Sequence, residues 1–430
     1  MPTSNFFHSA AMTDITHTAS PSALQGVRIL DLTTVVFGPY ASQILADYGA
    51  DVIKIESPEG DSTRRTGPRQ EADLAAIFLG INRNKRSVVL NLKQAAARDA
   101  LLTLVDGADV IMHSMRPEKM ERLGLGPQAL CARNPKLIYA GLYGFGEGGA
   151  YAGRPAYDDI VQGLSGIADI TQRQGGEPRY LPTIAADKTC GLVAAHAILA
   201  ALFQRERTGQ GQQLEVPMFE SMASYLLVEH LYGRHLQDTP DTTAGYPRVL
   251  APWRRPYQTQ DGYLCMMPYT DAHWQRFFNE TGHAELASDA RFIDITARTT
   301  HIEDLYALVG QIVASHHTAY WLELCQRLEI PAAPVNRLED LEQDPHLQSV
   351  DFFVPMTSAA GHHYRFTRNP VRMQRSHVPP VMPPRLGEHT CEVLQQAGLS
   401  ADDIGQLLAS GSAFDGNSAP SLSTDTEIHS

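Results

Sequence analysis

The stretch GVRILDLTTVVFGPYASQILADYGADVIKIES, residues 26–57, contains two apolar runs on either side of a longer mixed segment. Its two apolar runs have the length and composition of buried strands, and the segment between them has the spacing of an amphipathic helix. We predict a strand at Val27–Leu32, a turn through Gly38 and Pro39, a helix at Ala41–Tyr48 and a strand at Val52–Ile55. A helix that joins two strands through short loops implies a crossover between parallel strands. The chain therefore begins its fold with a βαβ unit.

Further units of this kind follow as far as about residue 146, which predicts an α/β fold with a doubly wound large domain. Residues 236–256 are rich in Pro, Thr, Gly and Arg, and a second pattern of strands and helices then indicates a smaller domain. We predict a disordered tail at 1–23, the first part of the large domain at 24–230, a small domain with its linker at 231–330, a return to the large domain at 331–410, and a disordered tail at 411–430.

The composition argues against several classes of partner. The formal net charge of -13 opposes nucleic-acid binding, which needs an excess of Lys and Arg on one face. The five cysteines are scattered and form no CxxC pair, so we expect neither a zinc site nor a disulfide framework, and we predict a reduced, cytoplasmic setting. The N-terminal segment lacks the basic start and apolar core of a signal peptide, and no uninterrupted apolar stretch reaches the roughly 18 residues of a membrane span. We therefore expect no nucleic-acid and no membrane partner.

The segment GFGEGG, residues 144–149, has the G-x-G-x-x-G spacing of a dinucleotide-binding loop and follows a predicted strand. An NAD-dependent oxidoreductase is therefore one alternative, supported by the βαβ opening and by Glu56 at the end of its second strand. The motif should open a helix, however, and the following AYAGRPAYDD reads as a loop because it contains Pro155 and small residues. This context disfavours the NAD alternative.

Basic residues form two groups at predicted strand ends. Arg83, Lys85 and Arg86 precede one strand, and Arg116 and Arg122 lie around a short helix that follows another. Solvated surface charge is one interpretation of each group. On an acidic protein the two groups also form a candidate phosphate site, because ligands of open α/β sheets bind at strand ends. The phosphate interpretation requires that both groups converge in space.

Carboxylates stand at the starts of two predicted helices. Asp158 follows Tyr157, and Asp187 precedes an Ala-rich run that predicts a helix beginning at Lys188. Asp at such a position commonly caps the helix, whose dipole keeps the carboxylate ionised. An ionised carboxylate in a mostly apolar pocket is also a nucleophile suited to attack on an acyl thioester. Both interpretations of Asp187 are open at this point, whereas His196, inside the same run, is expected to be packed.

Seven motifs recur in the order found in one known family. They are GVRILDLTTVVFGPYASQILADYGADVIKIESPEGD, NRNKRSVVLNLK, RPEKMERLGLG, YGFGEGGAYAGRPAYDDIVQGLSG, AADKTCGL, TGQGQQLEVPMFES and YQTQDGYL. On these motifs the chain resembles the class III coenzyme A transferases of the CaiB/BaiF type, from about Leu24 to about Ser400. This family includes formyl-CoA transferase, carnitine CoA-transferase and the α-methylacyl-CoA racemases.

The resemblance implies a covalent mechanism. The catalytic aspartate of the family lies in an aD-x-x-x-G motif before an Ala-rich helix, and the matching residue is Asp187. Its carboxylate is expected to attack an acyl-CoA, to form a mixed anhydride and then an aspartyl-CoA thioester, and to pass CoA to a second carboxylic acid. Coenzyme A is then a substrate, and no tightly bound cofactor or metal is expected.

The resemblance also implies binding residues and an assembly. The candidate phosphate or adenine contacts are Arg83, Lys85, Arg86, Arg116 and Arg122, and the residues near the pantetheine and acyl end are Val35 and Phe37. The GFGEGG segment becomes a loop beside the active site. The Rossmann-like large domain is expected to be built from the N- and C-terminal parts of the chain, with a smaller α+β domain, and two chains are expected to interlock as a homodimer.

Two departures from the family pattern bear on the reaction. Tyr157 stands where the racemases carry a catalytic His, and Val36 stands where the formyl branch carries a Gln. The first favours CoA transfer over racemisation, because proton abstraction loses one of its partners. An acyl-CoA isomerase or racemase that uses Asp187 with Tyr157 or Asp158 remains the alternative within the family.

Overall fold

A seven-stranded sheet organises the first half of the chain in the computed structural model, which describes residues 21–238 and 243–417. Its first six strands are β1 Arg28–Leu32, β2 Asp51–Glu56, β3 Lys85–Leu90, β4 Val110–His113, β5 Ile138–Tyr143 and β6 Gln212–Pro217. They are parallel in the order β3-β2-β1-β4-β5-β6. This order reverses direction between β1 and β4, and such a switch point opens a crevice at the carboxyl ends of the strands. The predicted doubly wound α/β sheet is confirmed.

Helices cover both faces of this sheet. They are α1 Phe37–Asp47, α2 Ala76–Ile81, α3 Ala95–Asp106, α4 Pro117–Arg122, α5 Pro127–Arg133, α6 Asp158–Leu164, α7 Ile167–Arg173, α8 Ala185–Thr208 and α9 Met218–His230. One hydrophobic core lies between the sheet and the group α1, α8 and α9, and a second lies on the opposite face against α3 and α5. Strands buried on both faces explain the continuous apolar runs of the sequence.

The start of α1 differs from its prediction. We expected a turn through Gly38 and Pro39 and a helix from Ala41, but the helix begins at Phe37 and contains both residues in its first turn. A proline is tolerated there because the first backbone N–H groups of a helix have no partner within the helix. The turn is therefore Thr33–Val36, immediately after β1.

Helix α8 is the longest helix in the described part of the chain, with 24 residues, and Gly209, in a left-handed conformation, follows its last residue Thr208. By length and composition it is the one helix among the described residues that could cross a membrane, and half of its most apolar window is buried inside the protein. A core helix meets the same criterion, and α8 packs against α1, α6 and α9. The absence of a membrane partner stays a prediction.

A separate core defines the smaller domain. Its elements are α10 Pro247–Leu250, β7 Tyr257–Gln258, β8 Tyr263–Met266, α11 Asp271–Glu280, α12 Ile295–Thr300, α13 Ile302–Val313, α14 Thr318–Arg327 and β9 Ala332–Pro334. Trp274, Phe277 and Trp321 lie at its centre. The antiparallel pairing of β9 with β8 carries this domain past the predicted boundary at residue 330.

The last part of the chain contains α15 Pro345–Ser349, β10 Phe353–Thr357, β11 His363–Thr367, α16 Thr390–Gln396, α17 Ala401–Ala409 and β12 Ala413–Phe414. The pair β10 and β11 forms its own hairpin, so the predicted return at residue 331 is too early. Helices α16 and α17 complete the second core of the large domain, and β12 joins the large sheet antiparallel to β3. The prediction of a tail from residue 411 is wrong for 411–417, because residues 413 and 414 pair with β3 and Gly416 donates its N–H to the carbonyl oxygen of Gly387. The rest of that tail, and residues 1–20, lie outside the described residues.

Candidate active site

A cavity of about 470 Å³ opens at the switch point of the sheet. The turn after β1 contributes Thr34 and Val35, the loop after β4 contributes Arg116, and the loop after β5 contributes Gly144. Asp187 lines the same cavity from the first turn of α8. The volume falls in the range of small-molecule sites, and the position is that of ligand crevices in open α/β sheets.

Asp187 is a buried carboxyl group whose pKa is far above its ordinary value. It is 8% exposed, and burial raises its pKa from 3.8 to about 7, with a further contribution from the neighbouring Asp158 carboxylate. The predicted cap is wrong, because α8 begins at Ala185 and Asp187 is the third residue of the helix. Burial and the neighbouring Asp158 carboxylate both oppose the ionisation that a position at a helix start predicts for this group.

Asp158 joins α6 to the start of α8. One oxygen of its carboxylate accepts the backbone N–H of Asp187 at 3.0 Å, and the other accepts Nε2 of Gln162 at 2.6 Å. Gln162 is fully buried and its own oxygen accepts the N–H of Leu181 at 2.9 Å. Asp158 is therefore held in place beside Asp187. Tyr157, by contrast, is 69% exposed at the rim of the cavity.

Gly191 explains the spacing of the AADKTCGL motif. A Cβ atom on this residue would lie 3.0 Å from the carbonyl oxygen of Phe37 and 2.9 Å from the ring of Tyr40. The missing side chain thus lets α8 approach α1, four residues after Asp187. This close approach brings the carboxyl group to the turn after β1.

Val35, in the turn after β1, and Phe37, the first residue of α1, both line the cavity. Val35 has φ = 68°, in the left-handed region that a β-branched residue rarely adopts. Its N–H lies 3.4 Å from Oδ1 of Asp61. Such strain persists only where the surrounding structure determines it, and it is concentrated at functional sites.

The first basic group does not line this cavity. Arg83 pairs with Asp47 at 2.5 Å, and Arg86 pairs with Asp51 at 2.7 Å. Lys85 is fully buried, and its charge is paired with Asp31 at 3.2 Å. In this conformation the three residues neutralise carboxylates of the protein.

The second basic group is divided. Arg116 lines the cavity and precedes α4, whereas Arg122, at the end of α4, does not line it. The two predicted groups therefore do not converge on one site. A basic residue that the sequence analysis did not single out, Arg154, lines the cavity in the loop after β5. The sequence feature that indicates Arg154 is its position three residues before Tyr157, in a loop at the end of a strand.

The GFGEGG segment is a loop in which two backbone N–H groups are bound to carboxylates of the protein. The N–H of Gly146 donates to Glu220 at 3.0 Å, and the N–H of Glu147 donates to Glu215. No helix follows the segment until Asp158. A dinucleotide fingerprint needs free N–H groups at a helix start, and these carboxylates would repel a phosphate. The segment is thus a wall of the cavity, to which Glu147 also contributes.

Comparison with known proteins decides the family. The profile described as CoA-transferase family III matches residues 24–390. The chain belongs to CoA-transferase family III.

Relatives in this family cover nearly the whole chain. An acyl-CoA transferase from Fusarium pseudograminearum is 34% identical over 405 residues, which are 91% of this chain and 89% of the relative. A succinate–glutarate CoA-transferase from Agrobacterium fabrum is 33% identical over 398 residues, which are 90% of this chain and 98% of the relative. The crystal structure of a CaiB/BaiF family protein from Brucella suis matches with a TM-score of 0.74 and 30% identity, covering 88% of this chain and all of that one.

Membership of CoA-transferase family III confirms the predicted resemblance and the predicted class of enzyme. Among the described residues, no group of three or more His, Cys, Asp and Glu side chains could hold a metal ion. The chemistry that this chain's own residues offer is centred on Asp187.

Proposed function

We propose that the protein transfers coenzyme A from an acyl-CoA to a free carboxylic acid through covalent intermediates on Asp187. The observation that supports this proposal most strongly is a buried carboxyl group in the cavity, poorly hydrated and with a pKa of about 7. A carboxylate that loses its hydration is a stronger nucleophile than one in water. Deprotonation near neutral pH costs little, so the reactive form is accessible.

The proposed reaction proceeds in four balanced steps. The Asp187 carboxylate attacks the thioester carbonyl of the donor, the C–S bond breaks, and CoA leaves as a thiolate. The thiolate attacks the aspartyl carbonyl of the mixed anhydride and releases the donor acid, which takes one oxygen from Asp187. The acceptor carboxylate then attacks the aspartyl-CoA thioester and again releases the thiolate. Attack of the thiolate on the acceptor carbonyl gives the new acyl-CoA and regenerates Asp187.

Coenzyme A is proposed to lie along the carboxyl ends of β1, β4 and β5. Arg116 and Arg154 line the cavity and have no ion-pair partner among the described residues, so each guanidinium is available to an anionic group of the substrate. Val35 and Phe37 are proposed to contact the pantetheine and acyl end. Arg122 remains a candidate for the nucleotide end outside the cavity, whereas Arg83, Lys85 and Arg86 are committed to carboxylates of the protein.

Small dicarboxylic acids are the proposed substrate class. The relative from Agrobacterium fabrum is named for succinate and glutarate. Two unpaired arginines at one cavity can serve both a CoA phosphate and a second carboxylate. Succinyl-CoA with glutarate is therefore the first pair to assay.

A homodimer is proposed for the assembly. Helices α6, α8 and α9 pack against one another and leave large apolar side chains exposed: Ile160, Leu164, Leu192, Phe203, Tyr225 and Val228. Val228 is 75% exposed and Phe203 is 59% exposed. Extensive apolar exposure marks an interaction surface. A second copy of the chain is the proposed partner at this surface.

A cytoplasmic location is also proposed, and the free state of all five cysteines supports it.

An acyl-CoA isomerase is the second candidate function. The observation that favours it is the same pKa near 7, which also suits a general acid and base, with Asp158 beside it. An isomerase would incorporate solvent deuterium at the α-carbon of the acyl group without exchanging CoA between acids. A transferase would exchange CoA between acids without incorporating solvent deuterium at the α-carbon.

Trapping with hydroxylamine tests the proposed function. The wild type is incubated with succinyl-CoA and hydroxylamine, and the peptides are analysed by mass spectrometry. We expect a hydroxamate at Asp187, none in Asp187→Asn, and an unchanged yield in Asp159→Asn, which alters an exposed neighbour of Asp158. An unmodified Asp187 in a protein that still binds CoA would overturn the transferase proposal.

A further inference from the structure

Two fully buried lysines lie beneath the turn that carries Val35. Lys54 is in the middle of β2 and Lys85 is the first residue of β3, and both side chains have 0% exposure. Lysine is almost never fully buried unless it is paired. Each is paired here, Lys54 with Asp61 at 3.0 Å and Lys85 with Asp31 at 3.2 Å.

Both ammonium groups also donate hydrogen bonds to the backbone of segment 33–39, which comprises the turn after β1 and the first residues of α1. Nζ of Lys54 donates to the carbonyl oxygen of Thr33 at 2.9 Å, and Nζ of Lys85 donates to that of Pro39 at 2.8 Å. These carbonyls stand at the two ends of segment 33–39. The ends of the segment are thus fixed by two buried charges on neighbouring strands of the sheet.

The carboxylates paired with these lysines, Asp31 and Asp61, contact backbone N–H groups of the same segment. The carboxylate of Asp31 accepts the N–H of Thr33 at 2.9 Å and the hydroxyl of Ser42 at 2.5 Å. Asp61 lies 3.4 Å from the N–H of Val35. Burial alone would raise the pKa of Asp31, but Lys85 and Lys54 lower it to about 2, whereas burial lowers the pKa of Lys85 to about 8. Asp31 and Lys85 are therefore both mainly charged at neutral pH.

We infer that Lys54 and Lys85 are positioning residues for the reaction at Asp187. They hold segment 33–39 so that Val35, in its left-handed conformation, and Phe37 form the wall of the cavity against which the acyl thioester is placed. Neither lysine contacts the substrate. The inference rests on the proposed function of Asp187 and replaces the predicted role of Lys85 as a CoA contact.

A matched buried arginine separates this role from stability. Arg64 belongs to the same buried cluster and pairs with Glu56 at 2.6 Å, but its hydrogen bonds go to Glu56, Ser87 and the carbonyls of Asp73 and Pro384, and none of them reaches the turn. Arg64→Met therefore removes a buried, paired charge without removing a hydrogen bond to segment 33–39. Lys54→Met and Lys85→Met each remove a buried charge and also a hydrogen bond to the backbone of segment 33–39.

The experiment measures single-turnover formation of the aspartyl-CoA thioester, the dissociation constant of CoA, and the melting temperature of each variant. Assayed well below the melting temperature, the lysine variants should form the intermediate about 10- to 100-fold more slowly, because misplacement of the reacting groups costs rate. Their affinity for CoA should change by less than about 3-fold, since neither lysine touches it. Arg64→Met should keep the wild-type rate.

If a single lysine variant fails to fold, Lys54→Met/Asp61→Leu removes both charges of the pair and leaves neither one buried alone. Wild-type rates in the folded lysine variants, or an equal loss in Arg64→Met, would overturn the positioning role while leaving the transferase proposal intact. If the wild type forms no covalent intermediate, the proposed function has failed and the positioning role fails with it.

Discussion

The ionised form of Asp187 is destabilised by its surroundings. Its carboxyl group is buried beside Asp158, and the same desolvation that raises its pKa to about 7 makes the ionised form reactive. The pKa of this carboxyl group is about 7 in the folded protein and 3.8 in an unfolded chain. Its contribution to the free energy of unfolding is therefore fully present below about pH 4 and is lost as the pH rises through 7. Function and stability therefore oppose each other at this residue.

The pH dependence of stability tests this opposition. Asp187→Asn removes the cost of ionising a buried group, so the variant should gain stability over the wild type as the pH rises from 4 to 7. The difference should reach on the order of 2–4 kcal/mol above pH 7. Denaturant unfolding at several pH values measures it. Asp159→Asn should show no such trend, and a constant difference for Asp187→Asn would contradict the account.

The pH–rate profile tests the same group in the working enzyme. Because the carboxylate is the nucleophile, kcat/KM should rise with pH to a plateau, with a midpoint near 7 in the free enzyme. Asp158→Asn removes the neighbouring negative charge, so the midpoint should move to lower pH. A midpoint that is the same in both proteins would show that Asp158 does not influence the ionisation.

Single side chains were harder to predict from the sequence than the elements that carry them. Asp187, Val35 and Phe37 were placed at the cavity by resemblance, and the structure brings them together. The ion pair of Lys85 with Asp31 spans 54 positions, which local spacing cannot reveal. Periodicity shows that a residue is near a strand, but it does not show which charge lies beneath it.

Helices α1 and α8 form the element pair that builds the site. Their contact depends on Gly191, where a Cβ atom would meet the backbone of Phe37 at 3.0 Å. The start of each helix was mispredicted, since Pro39 lies within α1 and Asp187 lies within α8. Neither helix has a side-chain cap at its start, so the usual signal of a helix beginning was absent.

Gly191→Ala tests the close contact. The added methyl group should force α8 away from α1, lower the free energy of unfolding by about 1–3 kcal/mol and reduce kcat. Chemical unfolding and steady-state kinetics measure the two effects. Gly310→Ala is the control: it lies within a helix of the small domain, where a Cβ atom meets only an ordinary contact at 3.8 Å. That variant should be as stable as the wild type or slightly more so.

At the scale of the whole molecule, the chain returns to its first domain after building a second one. The parallel arrangement of the large sheet followed from the opening βαβ pattern, but the pairing of β12 with β3 did not. Strand β12 has only two residues and lies far from the other strands in sequence, so its residue pattern is too short to predict a strand. Backbone hydrogen bonding, and not composition, orders residues 411–417.

The apolar surface of α6, α8 and α9 leads to a prediction about assembly. If a second copy covers it, sedimentation equilibrium should give twice the chain mass of 47.2 kDa over a wide range of concentration. Val228→Asp should reduce the yield of that species, because a buried unpaired charge opposes association. A wild type that sediments as one chain would contradict the homodimer.

Oxygen-18 transfer tests the nucleophilic role of Asp187 most directly. Turnover of an acyl-CoA with an acceptor acid labelled in its carboxylate should place the label in the Asp187 side chain, because the last step leaves an acceptor oxygen on the aspartate. Mass spectrometry of the peptide that contains Asp187 detects it. The account predicts label in this peptide and in no other, only when both substrates are present. Product formation with an unlabelled Asp187 would contradict the covalent mechanism.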